Sequence, residues 1–232
     1  MKSFSGWITL ALIFYSGVNL RSQNFSFGIG SGMGITQIRT TDRPDDFPDL
    51  RFYYPLLSYN VNTFLGYKSS HGWGLSIEPG YILKGGVLHH QSSAGAQIKI
   101  KFDYIRTPLL FDLFLSDKWT ISFGPEFAYM TGAKSVPGSE PNSPIDLYND
   151  IYDHHFEISG VIGVCFKMND KVDVGLRFGE GLTRTSNKFF TNSNGDNLGD
   201  LKEYNQYLHG VVKYALKRGR HNSEIPSGIQ QG

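Results

Sequence analysis

The sequence predicts an all-β protein, a closed eight-stranded antiparallel up-and-down barrel that crosses a membrane with its strands. Three observations lead there. Bulky apolar side chains alternate with small or charged ones in eight segments, the period of an extended chain with one greasy face. The joints between these segments are alternately short and long. Aromatic residues gather toward both ends of the apolar faces.

Composition narrows the field first. With 232 residues, 40% hydrophobic and 19% charged, the chain suits one domain and is too aromatic and too weakly charged for disorder. Lys and Arg number 22 against 21 acids, and a net charge of +1 gives no reason to expect a nucleic-acid partner. A single Cys165 excludes an intramolecular disulfide framework, and no Cys follows the N-terminal apolar run to carry a lipid anchor.

Residues 1-22 have the layout of a secretory signal peptide: Met1-Lys2, an apolar stretch from Trp7 to Tyr15, then Leu20-Arg21-Ser22. The apolar run falls short of the roughly 20 residues a spanning helix needs. Cleavage after Ser22 would leave a barrel domain over 23-216 and a polar tail over 217-232.

The expected strands are 25-38, 57-68, 73-84, 96-115, 119-132, 155-168, 171-184 and 203-216. They exceed the usual strand of about 5 to 6 residues in a soluble domain. Ser69-Ser70-His71-Gly72, Ser116-Asp117-Lys118 and Asn169-Asp170 are tight polar turns, whereas 39-56, 85-95, 133-154 and 185-202 are longer loops. Strict alternation of short and long joints is what strands running up and down through a membrane require.

Within the third strand Trp73, Leu75, Ile77, Pro79, Tyr81 and Leu83 share one face against Gly74, Ser76, Glu78, Gly80 and Lys84, with Ile82 an apolar intruder. In the fifth, Trp119, Ile121, Phe123, Pro125, Phe127 and Tyr129 oppose Thr120, Ser122, Gly124, Glu126 and Ala128. The seventh sets Val172, Val174, Leu176 and Phe178 against Asp173, Gly175, Arg177 and Gly179. Size decides which face turns outward. Gly28, Gly30, Gly32 and Gly34 share the polar face of the first strand, and such a row makes room inside a narrow barrel for larger groups opposite. On the apolar face, Tyr67, Trp73, Trp119, Phe166 and Tyr214 lie beside the short turns, and Tyr59, Tyr81, Tyr129, Phe156 and Tyr204 toward the long loops. Two such girdles are what the two interfaces of a bilayer select, and closure satisfies every backbone group in lipid.

Counted from the short turns, Glu78, Glu126, Arg177 and His209 stand at comparable heights on the inward face, and they are expected to form one paired polar plug that Arg106 joins. An Arg directed into lipid at mid-depth would cost on the order of 2 to 4 kcal/mol. Phe102 and Ile105 can both face lipid only with a bulge near Asp103. A plugged lumen argues against a general diffusion pore.

Three stretches resemble the PorT-like outer-membrane β-barrel group of Bacteroidetes-type bacteria: Glu78-Pro79-Gly80-Tyr81-Ile82-Leu83-Lys84-Gly85-Gly86, Tyr104-Ile105-Arg106-Thr107-Pro108-Leu109-Leu110-Phe111 and Gly124-Pro125-Glu126-Phe127. The resemblance implies an eight-stranded barrel in the bacterial outer membrane with both termini in the periplasm. It implies little about activity, since members range from secretion components to proteins of unassigned role. Arg106 stands where the group usually has an acid, and residues 217-232 run on past the last strand.

No cofactor, metal or catalytic residue is expected. Gly28-x-Gly30-x-Gly32 lacks the strand-turn-helix context of a dinucleotide loop. His89-His90 and His154-His155 are adjacent pairs whose rings point apart on an extended chain, so they read as ordinary loop residues. Inward-facing Cys165 reads as filling space. The loops containing Asp42 to Leu50 and Asp146 to Asp153 read as solvated, with a partner-contact surface as the alternative. The expected partners are outer-membrane lipid and an envelope protein met through the long loops. The role that fits is a non-enzymatic structural, adhesion or partner-binding module. Its rivals are a secretion-apparatus component, a secreted soluble calyx with the greasy face turned inward, and a lipid hydrolase acting at the rim.

Overall fold

The computed structural model describes residues 24–41, 52–89, 97–137, 144–148, 152, 154–191 and 197–218. The expected signal peptide, nearly all of the tail and the tips of the long loops lie outside these residues. Twelve strand segments are present: β1 (Phe25–Thr41), β2 (Phe52–Tyr54), β3 (Leu56–Lys68), β4 (Trp73–Ile77), β5 (Gly80–His89), β6 (Gln97–Phe114), β7 (Trp119–Pro137), β8 (Ile145–Asp146), β9 (Phe156–Lys167), β10 (Val172–Gly181), β11 (Ser186–Thr191) and β12 (Asn197–Lys217).

They close into a ring of eight staves. β1 pairs with β3, and β3 pairs with both β4 and β5, which form one stave against β6. The ring continues through β7, β9, β10 and β12, and β12 returns to β1, every pairing antiparallel. No strand edge of the ring is left open, so backbone donors and acceptors are met between strands. The short segments β2, β8 and β11 pair with β5, β7 and β12 at the long-loop end, where they raise the wall. β1, β7 and β12 also run further toward the loops than their alternating patterns predicted.

The third stave is interrupted at Glu78-Pro79. Proline has no N–H to give to the ladder. Neighbouring groups bridge the gap: Thr63 N donates to Pro79 O at 3.0 Å, and Glu78 N to Pro108 O at 3.1 Å. The tight turns have local causes. Gly72 adopts a φ of 81°, a conformation that favours glycine. The Asn169 carboxamide oxygen accepts from Lys171 N at 2.8 Å and Val172 N at 2.9 Å, closing the turn between β9 and β10.

The bulky face points outward. Leu57 is 67% exposed, Val61 57% and Leu176 56%, whereas Glu78, Glu126 and His209 on the opposite face are 0% exposed. Gly30 and Gly32 make the room they were expected to make, since a Cβ on either would fall 2.9 Å from the Asn62 and 2.6 Å from the Asn60 side-chain nitrogen. The bulge near Asp103 belongs to the partner strand: Asp103 pairs with Gly132 and Tyr104 with Met130, leaving Thr131 as the extra residue in β7. β6 keeps its alternation, so Phe102, Tyr104 and Arg106 all turn inward while Ile105 is 60% exposed.

The interior at the loop end is apolar, whereas the sequence predicted a polar plug and marked only Ile82 as an apolar intruder on the inward face of its strand. Ile38, Ile82, Leu88, Ile100, Phe102, Met130 and Tyr152 form a buried cluster against which Leu147 and Tyr148 pack. The loop carrying Tyr152, expected to be solvated, places that ring 4.7 Å from Phe102, edge to face. Ile82, the apolar intruder of the third strand, belongs to this cap.

Candidate functional site: the charge network in the lumen

Beneath the cap, two groups of ionised side chains fill the barrel. The upper group is centred on Lys84 of β5, whose Nζ donates to Glu126 Oε1 at 2.9 Å and to Glu157 Oε1 at 2.7 Å. Arg106 of β6 donates from Nη1 to Glu126 Oε2 at 2.6 Å and to the Tyr207 hydroxyl at 3.0 Å. The Tyr207 hydroxyl donates in turn to Glu126 Oε2 at 2.9 Å. Asn205 gives its amide to Glu157 Oε2 at 2.7 Å and to the Tyr104 hydroxyl at 3.2 Å. Two cations thus face two carboxylates, all at most 1% exposed. With charges out of water, each must be both neutralised and hydrogen-bonded. Each ion here has an opposite charge in contact, but Arg106 is bonded through Nη1 alone, and its buried Nε and Nη2 have no partner among the described residues.

The lower group lies nearer the short turns. Arg177 of β10 grips Glu78 with Nη1–Oε2 at 2.6 Å and Nη2–Oε1 at 3.0 Å, and Lys213 of β12 donates to Oε1 at 2.6 Å. Asn62 adds a longer bond to Oε2 at 3.4 Å. His209 belongs to neither group. Its Nδ1 lies 2.6 Å from the Asn60 amide nitrogen, which can only donate, so Nε2 carries the proton and donates to Ser58 Oγ at 2.8 Å. Ser58 passes a hydrogen bond on to Leu83 O.

The five inward residues singled out in the sequence therefore divide. Glu126 meets Arg106, Glu78 meets Arg177, and His209 bonds to neutral partners. The single plug is corrected to two clusters, because the strands are offset around the wall and equal counts from the turns do not give equal positions. Lys84, Glu157, Lys213 and Tyr207 complete these clusters. All four share the inward parity of their strands, and that parity is the sequence signal for them. Tyr207 is the one bulky aromatic among them, on the same face as Asn205 and His209. Its inward place depends on Gly179, where a Cβ would fall 2.2 Å from the tyrosine ring.

Below the lower group a cavity of about 420 Å³ opens at the short-turn end, lined among others by Phe64, Lys68, Asp112, Cys165, Lys213 and Arg218. Among the described residues no group of three or more His, Cys, Asp or Glu stands close enough to hold a metal ion. His155 stacks flat on Tyr148 with ring centroids 4.2 Å apart.

On the outer wall, the aromatics fall in two bands. Near the short turns Trp73 stacks on Phe111 at 6.0 Å, Tyr67 meets Trp73 at 6.2 Å and Trp119 meets Phe166 at 4.9 Å, with Tyr214 40% exposed. Toward the loops Tyr59 and Tyr81 lie 5.8 Å apart, Tyr129 and Phe156 are 52% and 53% exposed, and Tyr204 carries the Arg39 guanidinium 5.1 Å from its ring centre.

This geometry, a closed ring with oily walls and a charged lumen, agrees with a family match over residues 19–187, described as an outer membrane protein beta-barrel domain. The chain belongs to that family. Among solved structures, this outer-membrane barrel is similar to Neisserial surface protein A at 9% identity, with 81% of this chain and 96% of that chain covered and a TM-score of 0.47. OprG from Pseudomonas aeruginosa is 7% identical, with 82% and 93% covered and a TM-score of 0.43. Ail of Yersinia pestis, in complex with the heparin analogue sucrose octasulfate, is 12% identical, with 83% and 99% covered and a TM-score of 0.40. No curated protein matches the chain. As an outer-membrane barrel, it carries its distinguishing chemistry in the two buried ion clusters.

Proposed function

We propose that this outer-membrane barrel is a sealed, non-enzymatic module that acts through its long-loop surface, in a structural, adhesive or partner-binding role. One observation carries the reading. Lys84, Arg106, Glu126 and Glu157 occupy the cross-section with side chains at most 1% exposed, and the apolar cap lies above them. A pore needs a water path along its axis, and at this level the paired side chains and the cap fill the section.

The aromatic bands support an assignment as the two membrane interfaces, with Leu, Ile and Val between them in the acyl region. Phe27 of β1 pairs with Lys217 of β12, so both ends of the barrel lie at the short-turn side, which we assign to the periplasm. The three motifs that resemble the PorT-like group support a place within that narrower set. Glu78, Lys84, Arg106 and Glu126, the charged residues of those motifs, are all members of the ion clusters.

Reconstitution in planar bilayers tests the reading. The expected record has no large, stable conductance steps. Steps that are large, long-lived and proportional to the protein added would overturn it.

A further inference from the structure

Above the loop-side aromatic band the outer wall carries lysines that form no ion pair with a described acid. On β6, Lys99, Lys101 and Asp103 share the outward face, since Ile100 and Phe102 are buried. On β7, Lys134 turns outward next to buried Ala133. Lys101 and Lys134 are direct partners across the ladder. In an antiparallel pair, opposite side chains start about 5 Å apart, and like charges there repel. Lys99 stands one further step along the same face, about 7 Å from Lys101.

Two acids stand beside this cluster, but neither forms an ion pair with it. Asp103 accepts the Tyr81 hydroxyl, and Asp146, the ladder partner of Lys134 on its other side, accepts Tyr148 N at 3.0 Å. Among the described residues no ion pair engages Lys99, Lys101 or Lys134. Arg39, toward the loop end of the far wall, is answered by Glu180 at 2.8 Å. Three lysines against two acids, with no direct ion pair among them, leave the β6–β7 wall with an excess positive charge at this height.

Its height selects the occupant. Lys101 lies four residues beyond Ile105, which pairs with Tyr129 of the aromatic band. That is about 13 Å along a strand, less when measured along a tilted barrel's axis. The site is on the wall and not at a loop tip, so what covers it is the layer of headgroups just outside the acyl region. We propose that Lys99, Lys101 and Lys134 form a docking site for the phosphate groups of an anionic glycolipid in the outer leaflet. The site rests on the orientation proposed above, with the long loops outside. Phosphate oxygens set between Lys101 and Lys134 would turn a repulsive ladder pair into two charge-assisted contacts.

The test uses the full chain folded in detergent micelles, titrated with diphosphorylated lipid A and followed by native mass spectrometry. Binding is expected to weaken at least about tenfold with phosphate-free lipid A, and equally in the Lys101→Gln/Lys134→Gln variant. Lys171→Gln at a short turn is expected to bind as the parent does. Equal retention of both lipids, or no effect of the double substitution, overturns the proposal. So does complete displacement by millimolar inorganic phosphate, which would mark a site for the free anion. Orientation is read separately at Ile145, which is 57% exposed at the long-loop end, by labelling Ile145→Cys in a Cys165→Ser background with an impermeant maleimide on intact cells. Labelling supports the outer-leaflet assignment. Its failure overturns the orientation and that assignment, while the micelle titration alone decides phosphate recognition.

Discussion

Arg177 and Glu78 meet across the lumen through a two-point contact, with N–O distances of 2.6 and 3.0 Å, although the stretches that carry them are not neighbours in the ring. Such a contact ties opposite walls of the barrel together. Glu78→Gln keeps the shape and removes the charge, leaving Arg177 buried and Lys213 half-buried without a carboxylate. Loss of one partner from a buried pair costs about 3–5 kcal/mol. Urea unfolding from lipid vesicles is expected to show a loss of that size, and Glu78→Gln combined with Arg177→Met should lose less than the two separate losses added.

Gly179 and Tyr207 form a similar pairing of space with bulk. Any side chain at 179 must displace a ring whose hydroxyl joins Glu126 and Arg106. Gly179→Val is expected to lower stability by about 1–3 kcal/mol from overpacking alone. Adding Tyr207→Phe to it should cost little more, because the displaced hydroxyl has already lost its partners. The same unfolding measurement reads both.

Alternation alone gave every stave, because each residue's face follows from parity once one face is oily and the other small or charged. Gly28 through Gly34 pointed inward for the same reason. Pairing within the lumen was less legible. Glu78 and Glu126 occupy similar counts above their turns, yet one meets Arg177 and the other Lys84 and Arg106, since that choice depends on the stagger between strands and not on any one strand. The apolar cap escaped sequence reasoning because Phe102, Tyr104 and Tyr207 are large aromatics of the kind expected to face lipid, and only the two-versus-one register at Thr131 keeps Phe102 inside without distorting β6.

Membrane contact of the oily wall has a direct test. Spin labels at Ile121 and Leu176, one at a time, are expected to be relaxed by oxygen far more than by a water-soluble nickel complex after reconstitution. A label at Lys171, in the turn, should show the reverse. Aqueous behaviour at both wall positions would mean that the greasy face does not meet lipid.

The cap and the ion clusters can be separated by one substitution. Tyr152 is fully buried in edge contact with Phe102, so Tyr152→Ala empties a ring-sized space and is expected to cost about 3–5 kcal/mol in unfolding. If the seal resides in the network below, this variant should still show no stable conductance, because Lys84, Arg106, Glu126 and Glu157 keep their partners. Arg106→Ala with Lys84→Ala removes the cations that hold the upper carboxylates, and the repulsion left between Glu126 and Glu157 should open a water path when combined with Tyr152→Ala. Conductance that appeared with Tyr152→Ala alone would place the barrier in the aromatic cap, and the charged layer would then serve only to bind the walls together.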